Sequence, residues 1–192
     1  MYPEIAIREL VANALIHQDF NLGGTGPMIE IFEGRVEITN PGVPLIETQR
    51  FLDMPPESRN EVLAAFMRRL NICEERGSGI DKVITAIELF QLTAPDFRVT
   101  DRHTKALLFA HKAFAEMDKA DRIRACYQHA GLMFVTDQQM TNATLRQRLS
   151  ISAENYSMAS RVIRDSLDAG LIKPHDPTST SKKHARYLPF WA

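Results

Sequence analysis

Met28-Ile29-Glu30-Ile31-Phe32-Glu33-Gly34-Arg35-Val36-Glu37-Ile38-Thr39 alternates apolar with polar residues on both sides of Glu33-Gly34. Alternation with period two is the pattern of a half-buried strand. Two such runs parted by a two-residue, Gly-containing break predict a β-hairpin. Asn40-Pro41-Gly42 closes the second run, where a glycine lets a ligand come close to the backbone.

Toward the N-terminus the period changes. Pro3 and Glu4 sit where a helix starts, and Ile7, Leu10, Val11, Ala14 and Leu15 recur at helical spacing, which predicts a helix from Pro3 to His17. A Gly-rich loop, Asn21 to Gly26, leads into the hairpin. Toward the C-terminus a Pro-containing loop runs to Ser58. Helical spacing returns with Val62, Leu63, Phe66, Met67 and Leu70. Gly77-Ser78-Gly79 then feeds a helix carrying Ile80, Val83, Ile84, Ile87 and Leu89. Short strands are expected at Phe97 to Thr100 and Lys105 to His111, with a junction near Lys112 to Lys119.

Beyond the junction the chain reads as three helices and a hairpin. The helices are Asp121 to His129, Asn142 to Leu149 with Thr141 or Asn142 as cap, and one capped by Ser152 that runs to Ala169 before Gly170. The strands are Leu171 to Lys173 and Ala185 to Pro189, around a polar tip from Pro174 to Lys183. The expected division is a first domain over 1–114, a linker over 115–120 and a second domain over 121–192.

The 192 residues are 44% hydrophobic and 24% charged, the mix of a globular chain with a real core. No run approaches the ~20 apolar residues of a membrane span. Two cysteines, Cys73 and Cys126, make neither a disulfide framework nor a cysteine zinc site, so the expected compartment is the cytoplasm. The net charge of −1 hides an asymmetry: residues 1–118 hold 12 Lys/Arg against 18 Asp/Glu, and residues 119–192 hold 11 against 6. An acidic part joined to a basic part suggests modules with different partners.

Glu9, Asn13 and His17 are four residues apart and share one stripe of the first helix. A carboxylate and an amide one turn apart can serve a bound cation. Asn13 supplies an oxygen ligand, and Glu9 orients a water or takes its proton. Gly77-Ser78-Gly79 opens a helix, where free N–H groups and the helix dipole favour a phosphate. The alternative is an ordinary solvated helix face and a flexible Gly-Ser-Gly joint.

These motifs in this order resemble a known group. Glu4 to His17, Glu37-Ile38-Thr39-Asn40-Pro41-Gly42 and Glu75-Arg76-Gly77-Ser78-Gly79-Ile80-Asp81 resemble bacterial and archaeal helicase-related proteins and transcriptional regulators. These carry a divergent ATPase domain of the GHKL type, which also includes gyrase, histidine kinases and mismatch-repair ATPases. Tyr187-Leu188-Pro189-Phe190-Trp191 matches their closing tail, so the resemblance extends over nearly the whole chain. It implies an α+β fold: a two-layer α/β sandwich followed by a mostly helical winged helix. It implies ATP with Mg²⁺, with Glu9 as general base and Asn13 as Mg²⁺ ligand. Asn40 and Gly42 would lie at the adenine, and Gly77, Ser78 and Gly79 at the phosphates. Related ATPases place an Asp where Asn40 stands, so the charge that accepts from adenine is missing here, and the lid is short. Relatives also carry a Schlafen-like domain before this point, so the chain is read as a fragment. No G-x-x-x-x-G-K-[ST] loop and no second motor domain occur, and unwinding is not expected.

In the second domain Tyr156, Ala159, Ile163 and Leu167 form an apolar stripe expected to pack on Leu145, Leu149 and Ile151. Ser157, Arg161 and Arg164 line the opposite side. A short helix and tight turn before such a helix is the layout that enters a major groove. Lys182, Lys183, His184 and Arg186 give the hairpin a basic tip, and Arg146 and Arg148 add phosphate-positioning charge. The expected partners are double-stranded DNA and a second copy in a homodimer, and the competing roles are a nucleotide-free dimerisation scaffold and an ATPase working with a missing N-terminal domain. His103, His111 and His129 lack metal-ligand spacing, and Trp191 is read as pinning the tail.

Overall fold

The computed structural model describes residues 1–55, 57–73, 79–178 and 185–192. The chain divides into two compact units, Met1–Ala110 and His111–Ala192.

In the first unit α1 (Glu4–Ile16) precedes the hairpin strands β1 (Met28–Phe32) and β2 (Arg35–Pro41). Phe32 pairs with Arg35, so Glu33-Gly34 is a two-residue turn, and Gly34 takes a φ of +80°, which costs a glycine little. Helices α2 (Glu61–Arg69) and α3 (Gly79–Leu89) follow, then strands β3 (Asp96–Val99) and β4 (His103–Phe109). The four strands form one antiparallel sheet in the order β1-β2-β4-β3. Ala6, Leu10 and Ala14 of α1 and Val83 and Ile87 of α3 bury against Val36, Ile38 and Leu108 of the sheet. Each large aliphatic side chain so buried stabilises the fold by roughly 1.5–3 kcal/mol. A smaller cluster, Ala12, Ile16, Ala64 and Met67, fixes α2 to the other flank of α1.

The second unit contains α4 (Lys119–Val135), the two-residue strand β5 (Met140–Thr141), α5 (Asn142–Arg148), α6 (Tyr156–Asp168), β6 (Ile172–Pro174) and β7 (Arg186–Pro189). Its sheet runs β5-β7-β6, all antiparallel. Helix α4 extends six residues beyond the expected end at His129. Gly131 lies buried inside the helix, where packing outweighs its poor propensity. Strand β5 has no counterpart in the sequence reading. Thr141 caps α5 in a capping box with Thr144, whereas Ser152 starts a separate short 3-10 turn and makes no side-chain cap bond. Ala159, Val162, Ile163 and Ser166 are the buried face of α6. Tyr156, expected in that face, is 63% exposed. It stands at the first position of α6, and the buried face begins three residues later at Ala159. Trp191 donates from Nε1 to the Tyr127 hydroxyl at 3.1 Å and packs edge-on against Phe134, so the tail is fastened to α4.

The architecture is mixed α+β with antiparallel sheets. Among the described residues no helix is long and apolar enough to cross a membrane.

Candidate functional site

Helix α1 carries two faces. Ala6, Leu10 and Ala14 meet the sheet, while Glu9 and Asn13, one turn apart, line a cleft beside it. Glu9 is 2% exposed, a carboxylate carried into the interior of the fold. Opposite this pair α3 begins at Gly79, so close that a Cβ there would lie 3.1 Å from Glu9 Oε2 and 3.7 Å from Asn13 Nδ2. The two motifs read separately from the sequence therefore meet in space. Asp81, in the first turn of α3, has its carboxyl pushed above the usual range by burial.

The far end of the cleft is built by the end of β2. Asn40 is buried and its Nδ2 donates to Pro41 O at 3.3 Å. Gly42 has a φ of +109°, and a Cβ there would come 3.1 Å from Asp19 Cβ. Its N–H donates to Arg102 O at 2.7 Å, and its carbonyl accepts from Thr104 Oγ1 at 2.7 Å. Backbone conformation and space thus both demand glycine here. Val43, Leu45, Ile46, Phe51 and Phe97 give this end apolar walls, and the cleft holds about 190 Å³ of accessible space.

Three residues of the site escaped the sequence reading. Arg59 donates from Nε to His17 O at 3.1 Å and from Nη2 to Val43 O at 2.6 Å. Asn60 donates from Nδ2 to Ile16 O at 2.8 Å and Gln18 O at 2.7 Å. Together they satisfy carbonyls that the C-terminus of α1 leaves open and tie that helix to the loop after Gly42. Arg68, on the last turn of α2, is the one Lys or Arg among the described lining residues, which also include Glu9 and Glu57. His17 has its pKa lowered by burial and then by the Arg59 charge, both of which favour the neutral ring.

Gly77 and Ser78 lie outside the described residues, as do Lys182 and Lys183. In the second unit Ser157, Arg161 and Arg164 are all exposed on α6. Asn142 donates from Nδ2 to Tyr156 O and Ser160 Oγ, each at 3.0 Å, and so ties the start of α5 to α6. Arg146 donates from Nε to Asn142 Oδ1 at 3.0 Å, and the exposed Arg186 from Nη1 to Gln139 Oε1 at 3.0 Å. Arg148 corrects the expectation: it is 4% exposed and cannot present its guanidinium to a partner. It stands three residues after the buried Leu145 and so shares that inward face. Among the described residues no group of three His, Cys, Asp or Glu gathers as a metal cage.

Residues 24–108 match the family model described as "Putative ATP-dependent DNA helicase recG C-terminal". The match covers less than half of the chain and includes Asn40, Gly42 and Gly79 but not Glu9 or Asn13. It supports a helicase-related, ATPase-like domain over those residues. Among solved structures, this chain is similar to the crystal structure of the DIP2311 protein from Corynebacterium diphtheriae, with a TM-score of 0.55 at 19% identity. That likeness of fold takes in 98% of this chain and 40% of the other, so this chain spans well under half of that protein's length. No curated protein sequence gives a significant match.

Proposed function

We propose that the first unit is a GHKL-type module binding ATP with Mg²⁺, and that the second is a winged helix for double-stranded DNA, the whole acting as a DNA-associated regulator. The observation that carries this reading is the approach of Gly79 to Glu9 and Asn13 at the mouth of an apolar-walled cleft. A helix start brings free N–H groups to a phosphate, and the missing Cβ lets that helix start come close against Glu9 and Asn13. Mg²⁺ is commonly held by one or two protein oxygens plus the phosphates, so Asn13 Oδ1 as protein ligand fits the donor set present. The ion would neutralise phosphate charge. Glu9 would orient a water or hold its proton, Asn40 would offer its amide to the base, and Arg68 would meet phosphate oxygens.

For the second unit the support is the order helix, strand, helix, helix and strand pair, with Ser157, Arg161 and Arg164 on the open side of α6. Such a helix meets base edges and phosphates in a major groove. Regulation follows where ATP binds two arrangements of the chain with different affinity.

Calorimetric titration of Mg-ATP into the wild type, Asn13→Ala and Glu9→Ala tests the first site. Submillimolar binding that Asn13→Ala weakens about tenfold, or by ~1.4 kcal/mol, is expected. Folded wild type that takes up no ATP sinks the nucleotide reading and leaves the DNA reading to be judged by its own titration.

A further inference from the structure

The helical layer stops one strand short of the sheet's edge. On β2, Val36 and Ile38 are buried under α1 and α3. Beside them on the same face of β1 stand Ile31 and Ile29, 81% and 49% exposed. On the opposite face Met28 and Phe32 are exposed as well. The backbone is equally open. The hairpin closes on the pair Phe32 and Arg35, so by the antiparallel alternation Phe32, Glu30 and Met28 bond to β2 while the N–H and C=O of Ile29 and Ile31 face outward. Gly34 O accepting from Ala110 N on the β4 side agrees with that alternation. An apolar edge strand without lysine or internal proline is a template for another strand.

We propose that β1 pairs antiparallel with β1 of a second copy of this chain, joining two four-stranded sheets about a two-fold axis at Ile31. The outward groups of Ile29 and Ile31 allow registers centred on Ile29, Glu30 or Ile31, and side-chain chemistry selects among them. Centred on Ile29, the partner's Pro27 falls opposite Ile31 and lacks the N–H the ladder needs. Centred on Glu30, two carboxylates face each other in a close, non-hydrogen-bonded pair, a destabilising arrangement. Centred on Ile31, each Glu30 lies opposite the partner's Phe32. The Arg35 guanidinium rests over the Phe32 ring, 4.2 Å from its centroid, with Nε donating to Glu37 of its own chain and its Nη groups left to meet a second carboxylate. The carboxylate then meets a guanidinium across the interface, twice by symmetry, and Ile31 packs on Ile31 at the centre.

Sedimentation equilibrium of the full chain from about 10 µM to about 1 mM, the range of small interfaces, tests the pairing. Reversible dimerisation is expected, with Ile31→Lys monomeric throughout and Leu89→Lys, at an exposed site on α3, indistinguishable from wild type. Circular dichroism of Ile31→Lys confirms its fold. Glu30→Gln decides the register: loss of the Glu30–Arg35 attraction weakens the dimer about threefold, whereas relief of a Glu30–Glu30 repulsion would strengthen it. In a Cys73→Ser background, Ile31→Cys links two chains on mild oxidation. A wild type monomeric at every concentration, a dimer that survives Ile31→Lys, one that Leu89→Lys also dissolves, or a strengthening by Glu30→Gln overturns the proposal.

Discussion

Gly79 and Arg68 act on the same cleft by different physics, and substitutions separate them. Gly79 is required for space: a methyl group would lie 3.1 Å from Glu9 Oε2, tighter than ordinary packing, so α3 or the Glu9 carboxylate must shift by a few tenths of an ångström. Gly79→Ala is expected to leave the melting temperature nearly unchanged and to weaken Mg-ATP binding about tenfold. Arg68 supplies charge, and a guanidinium on phosphate is lost with it. Arg68→Ala is expected to weaken ATP about tenfold while leaving adenosine binding within about twofold. An equal loss for both ligands in calorimetry would make Arg68 a structural residue. The Glu9–Asn13 pair was legible because four-residue spacing fixes a helix face whatever the tertiary fold. Arg59 and Asn60 were not, because the carbonyls they hold on α1 lie more than forty residues away in sequence. Asn60 even occupies the N-cap position of α2 without capping it.

Among the elements, β1 and the two-residue turn of the hairpin were readable to the residue because alternation and a Gly turn fix them, whereas β2 runs two residues past Thr39 by pairing Asn40 and Pro41 with β4. The burial of that hairpin was not readable. Alternation says which side chains share a face, but only the reach of α1 and α3 decides that Val36 is covered and Ile31 is not. Helix α4 shows the converse, since a buried Gly131 is tolerated by packing that no local pattern reports. The other sheet face carries an ion-pair network joining β2 to β4. Lys105 donates to Glu37 at 2.5 Å and Arg35 at 2.6 Å, and these two hydrogen bonds hold the Glu37 carboxyl below its usual 4.5. A depressed carboxyl stabilises the fold above its unfolded pKa, and the contribution disappears as pH falls through the folded value. The melting temperature of wild type should therefore exceed that of Glu37→Gln near pH 7 and converge on it as pH drops below the ordinary carboxylate range. The partners are partly solvated, with Arg35 40% and Lys105 30% exposed, so the gap is modest and narrows in salt. In the second unit, Thr141→Ala removes the cap that accepts from Thr144 N–H. A loss of about 1 kcal/mol in urea denaturation is expected.

For the whole molecule, the proposed role demands a relation between two measurable affinities. The chain is acidic over residues 1–118 and basic over 119–192, so DNA attraction should depend on the second unit and fall with salt. Removing one cation that neutralises a phosphate lowers the slope of log K against log salt by about 0.9. Arg161→Ala and Arg164→Ala should each flatten the slope by roughly that amount, and Arg148→Ala, being buried, should not. A slope that none of the three changes would remove α6 from the phosphates and, with it, the DNA reading of that helix. Coupling is a separate demand. If saturating Mg-ATP changes DNA affinity by some factor, saturating DNA must change ATP affinity by the same factor, because both arms close one thermodynamic cycle. Typical couplings of about 5- to 150-fold lie well within reach of fluorescence anisotropy for the DNA arm and calorimetry for the nucleotide arm. A factor of one in both arms would mean that each unit binds its ligand independently. Asn13→Ala then serves as the internal control: it must raise about tenfold the Mg-ATP concentration at which DNA affinity changes while leaving DNA affinity without ATP unchanged, since Asn13 stands in the first unit and the proposed DNA-binding side chains in the second.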